Sequence, residues 1–268
     1  MWETITQYFA INPETGMVDL TWPIIIALIV AGFLVGIINT IAGSGTAITY
    51  SLFMLLGLPA NIANGTIRFG VIMQTLSSSL IFYKGGKLDI KKGLLLSAPI
   101  ILGTLIGAQI ATQINKDVFE KVLGIVLISM IFFIFYDPKR WLQEQIEKTK
   151  RKLSLTQYLL FFFIGIYGGF IHIGVGIFLL TLLVLNTGYD LVKANALKVF
   201  IVFLYSPFAL GIFIFNNQVD YRLGLISAIG NIFGGILASR LTINRGVKFV
   251  RWFLVLIIIV FALKLFFL

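Results

Sequence analysis

The chain has no cysteine, which excludes a disulfide framework, a thiolate metal site, an iron–sulfur cluster and a cysteine nucleophile. It is also poor in charge: Asp, Glu, Lys and Arg make up 12% of 268 residues, about half the share of a water-soluble domain. Hydrophobic residues make up 59% and the mean hydropathy is +0.99, so the apolar surplus must face something other than water. The chain reads as an integral membrane protein. What little charge there is leans to +10, and in a membrane protein its placement says more than its size.

Crossing a hydrocarbon core of about 30 Å takes about 20 apolar residues in a helix. On that ruler, long apolar stretches run near 20–42, 61–83, 93–112, 118–136, 155–173, 192–215, 222–240 and 250–268, and shorter ones near 45–58 and 175–187 follow glycine-rich breaks. The expected fold is an all-α polytopic membrane protein, with the short segments either crossing or re-entrant. The first twenty residues hold Glu3, Glu14 and Asp19 but no Lys or Arg. They lack the basic start of a signal peptide and are read as an extracytoplasmic tail that is retained.

Lys and Arg collect in cytoplasmic loops. With the N-terminus outside, one face receives fifteen basic residues: Lys84, Lys87, Lys91, Lys92, six between Lys139 and Lys152, Lys193, and four between Arg240 and Arg251. The other face receives four, Lys116, Lys121, Arg222 and Lys264. Pairing each short segment with its predecessor as a re-entrant hairpin leaves this orientation unchanged. The stretch 137–153 lies on the basic face, and its mixed charges suit a short amphipathic helix touching anionic lipid.

Sliding the chain on itself by 131 residues aligns Gly43 with Gly174, Gly45 with Gly176, Gly57 with Gly188, Asn64 with Asn195, Asp89 with Asp220, Gly93 with Gly224 and Gly103 with Gly234; one residue less puts Arg68 on Lys198. The pattern divides the chain into a first repeat, 21–136, the linker, and a second repeat, 154–268. An odd number of crossings per repeat turns the second copy upside down, and inverted repeats are a common plan of secondary transporters.

All eleven Asp and Glu residues fall in the tail, the loops or the segment ends. Two cations, however, sit well inside apolar segments: Arg68 in Asn64-Gly65-Thr66-Ile67-Arg68, and Lys198 in Asn195-Ala196-Leu197-Lys198. At about 1.5 Å per residue, helices starting near Ala60 and Leu191 would place both roughly 10–12 Å deep. With no acidic side chain near in sequence, the natural counter-ion is an anionic substrate; the alternative is that both side chains snorkel to an interface. The breaks Gly43-Ser44-Gly45-Thr46 and Gly174-Val175-Gly176 let the chain restart a helix, whose N-terminus offers free N–H groups and a positive pole. Ser44 and Thr46 add hydroxyls, and Asn39, Asn64, Thr66 and Asn195 complete the candidate binding set. His172, the one histidine, stands beside the second break and is a candidate for a coupling proton. The small-residue pairs Gly32/Gly36, Gly103/Gly107 and Gly165/Gly169 suit close helix packing.

These residues resemble the TauE/SafE sulfite exporters, also called the toluene sulfonate uptake permease family, from about Gly32 to Leu265. The resemblance rests on Gly32-Phe33-Leu34-Val35-Gly36 with Asn39 and the following break, on Gly57-Leu58-Pro59 leading into Asn64-Gly65-Thr66-Ile67-Arg68, on Gly165-Ile166-Tyr167-Gly168-Gly169-Phe170, and on Arg245-Gly246 before a last apolar helix. Thr66-Ile67-Arg68 stands where Thr-Asn-Lys is common, which replaces a point charge with a bidentate fork. The resemblance implies movement of sulfite, an organosulfonate or another sulfur-containing oxyanion across a prokaryotic cytoplasmic membrane, coupled to a proton or sodium gradient.

A secondary transporter is therefore the expected function, with an anion channel of the same fold as the alternative. An intramembrane enzyme fares worst, because the chain has no His-Glu-x-x-His, no cysteine and no intramembrane Asp or Glu. The expected partners are a small anion, a coupling ion and membrane lipid. No cofactor, metal or nucleic acid is expected, and the oligomeric state is left open.

Overall fold

The computed structural model describes residues 19–114, 118, 154–185 and 187–267, with the side chains of these residues except 251 and 254–267. The expectations for most of the N-terminal tail, for the 118–136 segment beyond its first residue and for the linker 137–153 lie outside the described residues.

Among the described residues the helices are α1 (Trp22–Ile41), α2 (Thr46–Leu55), α3 (Ala60–Lys84), α4 (Ile90–Gln113), α5 (Leu155–Phe170), α6 (Val175–Leu185), α7 (Leu191–Phe215) and α8 (Tyr221–Phe267), and no strand is present among them. Trp22–Ile41, Ile90–Gln113, Leu191–Phe215 and Tyr221–Val250 are long and apolar enough to cross a membrane. Large apolar side chains such as Trp22, Leu102, Phe163, Phe215 and Phe233 face outward, while Asn64, Arg68, Gln74, Ser78, Asn195 and Lys198 are buried. That arrangement suits a lipid surround, where polar groups turn to the bundle interior. The chain is a polytopic all-α membrane protein.

Two boundaries differ from the apolar ruler. The 155–173 stretch is helical only to Phe170, because Ile171 is extended and Gly174 has φ 75°. The 222–240 and 250–268 stretches are two helices, both within α8, that meet at Gly246, where φ is 68° and ψ is −164°; the first runs on past 240, through polar residues, to that break. α3 is 25 residues long, yet its inward face carries Asn64, Thr66, Arg68, Gln74, Thr75, Ser78 and Ser79. It can carry them because α7 and α8 pack against it.

The two halves share one backbone pattern. α3 and α7 start at 60 and 191, and α4 and α8 at 90 and 221. Positive φ recurs at Gly43 and Gly174, at Gly57 and Gly188, and at Gly86 and Asn217. Asp89 accepts a hydrogen bond from the Lys92 amide at the start of α4, as Asp220 does from the Leu223 amide at the start of α8. The halves also exchange partners: α1 lies against α8 and α4 against α5. Glycines make both crossings close. A Cβ at Gly32 would strike the Ser227 carbonyl and one at Gly36 the Asn231 carbonyl, while Cβ atoms at Gly103, Gly107, Gly165 and Gly169 would strike backbone across the α4–α5 crossing. The small-residue pairs thus do the packing work expected of them.

At each break the chain folds back on itself. Gly45, which precedes α2, lies against the Val35 carbonyl and Asn39 of α1, and its amide donates to Asn39 Oδ1 at 3.1 Å. In the second half Tyr167 of α5 meets Phe178 of α6 edge-on, with centroids 5.2 Å apart. The two hairpin tips then touch: a Cβ on Gly43 would collide with the backbone of Gly176, and one on Gly176 with that of Gly43. Gly176→Ala is therefore expected to cost about 1–3 kcal/mol through overpacking. Gly86 has φ 65° but open space around it, so Gly86→Ala should cost about 1 kcal/mol, and Gly86→Asn less, because asparagine tolerates the left-handed region. Thermal midpoints in detergent check this order, and equal losses at 86 and 176 would contradict it.

Candidate functional site

A helix leaves its last carbonyls without intrahelical partners, and where the end is buried no bulk water satisfies them. α1 and α5 both end in this way at the tips. Each end is met by a cation from the other half. Arg68, on α3, donates from Nη1 to the Gly168 carbonyl at 3.2 Å and from Nη2 to the Gly169 carbonyl at 2.6 Å, and Asn64, one turn earlier, donates from Nδ2 to the Phe170 carbonyl at 2.8 Å. Lys198, on α7, donates from Nζ to the Thr40 carbonyl at 2.8 Å and the Asn39 carbonyl at 3.2 Å, with the Ile41 carbonyl at 3.5 Å; Asn195 Oδ1 accepts from it at 2.7 Å.

These contacts supply a partner absent from the sequence reading, which considered only side chains and substrate as counter-charges. The C-terminal end of a helix carries a partial negative charge, and both cations sit on one. Neither snorkels: Arg68 is 0% and Lys198 1% exposed. The two cations differ in what remains free. An ammonium has three N–H groups, and Lys198 has four oxygens within reach. A guanidinium has five, and Arg68 Nε has no protein acceptor. The Arg68 guanidinium also lies 4.7 Å over the Phe213 ring, a cation–π contact.

The first tip is lined by polar groups. Asn39 Nδ2 donates to Gln74 Oε1, Gln74 Nε2 donates to Thr40 Oγ1, and Thr40 Oγ1 pairs with Ser78 Oγ. α2 begins at Thr46 with no side-chain cap, and Ser44 Oγ, Thr46 Oγ1 and Asn195 Nδ2 are buried without a partner. Thr66, by contrast, is committed, donating to the Ile62 carbonyl and accepting from the Asp220 amide. The second tip carries His172, buried, with Nδ1 3.2 Å from Tyr205 Oη. The contact between Gly43 and Gly176 brings the two tips together, so the structure gathers Arg68, Lys198, Asn39, Asn64, Asn195 and both breaks in one central region. The described carboxylates stay out of it: Asp19 is exposed ahead of α1, and Asp89, Asp190 and Asp220 accept from amides at helix starts. Among the described residues no His, Cys, Asp and Glu group could hold a metal ion.

Sequence reasoning missed Tyr205 and Phe213 as neighbours of the site. Tyr205 occupies in α7 the position that Gln74 occupies in α3, so the repeat offset alone would have found it.

A family model described as sulfite exporter TauE/SafE matches residues 28–265. The chain is 29% identical over 250 residues to a "probable membrane transporter protein ORF9" of Sinorhizobium sp., covering 93% of this chain and 95% of the relative. It is 26% identical over 265 residues to a "probable membrane transporter protein YfcA" of Escherichia coli, covering 98% and 94%, and 24% identical over 233 residues to a "probable membrane transporter protein" of Haemophilus influenzae, covering 87% and 91%. No solved structure matches.

Replacing Asn64 with leucine, similar in size but without a donor, removes the buried amide bond to the Phe170 carbonyl. The expected loss is about 1–3 kcal/mol, read as a lower thermal midpoint of the purified protein. Asn64→Asp should lose as much, because a carboxylate accepts and cannot donate; an unchanged midpoint in either variant would contradict the capping role.

Proposed function

The chain belongs to the sulfite exporter TauE/SafE family, and on that premise we propose that it is a secondary transporter of a small sulfur-containing oxyanion, sulfite or an organosulfonate. The two halves are inverted repeats in a prokaryotic cytoplasmic membrane with the N-terminus outside, and they alternate access around the meeting tips. One observation carries the reading: Ser44 Oγ, Thr46 Oγ1, Asn195 Nδ2 and Arg68 Nε are buried without protein partners. A buried polar group left unpaired costs about 1–3 kcal/mol, and an oxyanion offers several acceptor lone pairs on one compact centre.

The roles divide by what each group has free. Arg68 is the charged ligand, using the edge of its guanidinium that does not face Gly168 and Gly169. Ser44, Thr46 and the unwound backbone at Gly43 and Gly45 face the oxyanion from the start of α2, whose positive pole adds to the attraction. Gly174 and Gly176 form the opposite wall. Lys198, with Asn39 and Asn195, holds the first tip in place and contributes positive charge. Asn64 and Thr66 position the start of α3. His172, hydrogen-bonded to Tyr205, is assigned the coupling proton.

Thr46 separates binding from folding, because its hydroxyl has no partner to lose. Thr46→Val should leave the thermal midpoint unchanged and weaken sulfite binding about tenfold to a hundredfold, the effect of losing one hydrogen bond to a charged group. Saturable uptake of labelled sulfite into proteoliposomes, driven uphill by a proton gradient, measures it; identical uptake by Thr46→Val would remove the first tip from the site. The absence of native cysteine makes the topology testable as well. Lys84, the last residue of α3, and Asn216, just past the end of α7, are both exposed and suit Lys84→Cys and Asn216→Cys. An impermeant maleimide should label them from opposite faces of the membrane, and labelling from one face would overturn the inversion.

A further inference from the structure

We propose that the carbonyl end of α1 is a monovalent-cation site in which the Lys198 ammonium is the resident ion, tethered through α7, and that removing this side chain opens the site to a free cation of potassium or ammonium size. Four oxygens from two helices surround Nζ: the carbonyls of Asn39, Thr40 and Ile41 and the side-chain Oδ1 of Asn195, at 3.2, 2.8, 3.5 and 2.7 Å. The carbonyls are consecutive in the chain, so they are the free ends of one terminating helix and share its negative pole. Carbonyls at the ends of interrupted membrane helices are a recurrent way of holding small cations. Here a side chain fills the place from the opposite half of the molecule.

The spacing selects the class of ion. Oxygens around calcium, which is close to sodium in size, stand at about 2.3–2.6 Å. The four around Nζ are farther out, so they fit ammonium, methylammonium or potassium better than lithium or sodium. The ring is also rigid: Asn39 is tied to Gln74 and to the Gly45 amide, and Thr40 to Gln74 and Ser78. Neighbouring groups therefore hold Asn39 and Thr40, with their carbonyls, in position independently of Lys198, while Asn195 is placed by its own helix, α7. The second tip does not repeat the arrangement, since Arg68 meets only the Gly168 and Gly169 carbonyls and does so with a planar fork. This inference does not depend on which anion the protein carries.

The test uses the purified full chain in detergent, with thermal midpoints measured at constant ionic strength in the chlorides of potassium, methylammonium, lithium and choline. Wild type should melt at one temperature in all four. Lys198→Ala should melt lower in choline and recover along a saturable curve with potassium or methylammonium, with lithium weaker. Lys198→Met, which fills the space without charge, should not respond to any salt. The proposal is overturned if Lys198→Ala is indifferent to the cation, if wild type responds as strongly, or if Lys198→Ala yields no folded protein even with potassium present throughout. These outcomes are read in thermal midpoints against the cation alone, whereas the anion site is tested by sulfite uptake of Thr46→Val, so the two readings fail separately.

Discussion

A helix that stops in the buried interior of a bundle leaves carbonyl oxygens with neither water nor a next turn to satisfy them, and the centre of this molecule is built around that constraint. Two helices stop there, α1 and α5. Taking a charged group out of water costs several kcal/mol even after relaxation, so Arg68 and Lys198 would be destabilising on their own, and so would the bare carbonyl ends. Brought together, each offsets the other, through hydrogen bonds to a charged donor worth about 1.5–3 kcal/mol apiece. The requirement explains why the cations lie mid-helix, why Asn64 stands one turn before Arg68, and why α3 carries its polar face toward the bundle.

The halves share a backbone and differ in chemistry. Gln74 and Tyr205 hold matching places on α3 and α7, and each reaches its own tip: Gln74 joins Asn39 and Thr40, and Tyr205 joins His172. Besides the cation and asparagine that cap each end, the groups around the first tip are amides and hydroxyls, and those around the second are aromatic rings and one imidazole. Glycines hold this divergence within one frame, because the crossings of α1 with α8 and of α4 with α5 rest on backbone contact and leave side chains free to change elsewhere.

Much of this was legible in the sequence. The apolar segments, the glycine pairs at 43 and 174 and at 57 and 188, and the isolated cations all stood out by residue type, and they placed the tips correctly. The pair at 86 and 217 did not, because one is glycine and the other asparagine; the shared property is a left-handed backbone, which both adopt and no identity count registers. The cation partners were illegible for a deeper reason. Every residue carries a carbonyl, so the sequence gives no mark to the few that a helix end leaves free. The early end of α5 was hidden in a similar way, since Ile171 and Ile173 are as apolar as the helix before them.

The cross-capping also has an order in time. A chain is made from its N-terminus, and Arg68 exists 100 residues before the carbonyl it first meets, at Gly168. The reverse holds at the other tip, where Ile41 is made 157 residues before Lys198. The second hairpin therefore enters the bilayer with its donor already waiting. The first must persist through most of synthesis with its carbonyls uncapped, held by Asn39, Gln74 and Ser78 from its own half, and the arrival of α7 completes it last.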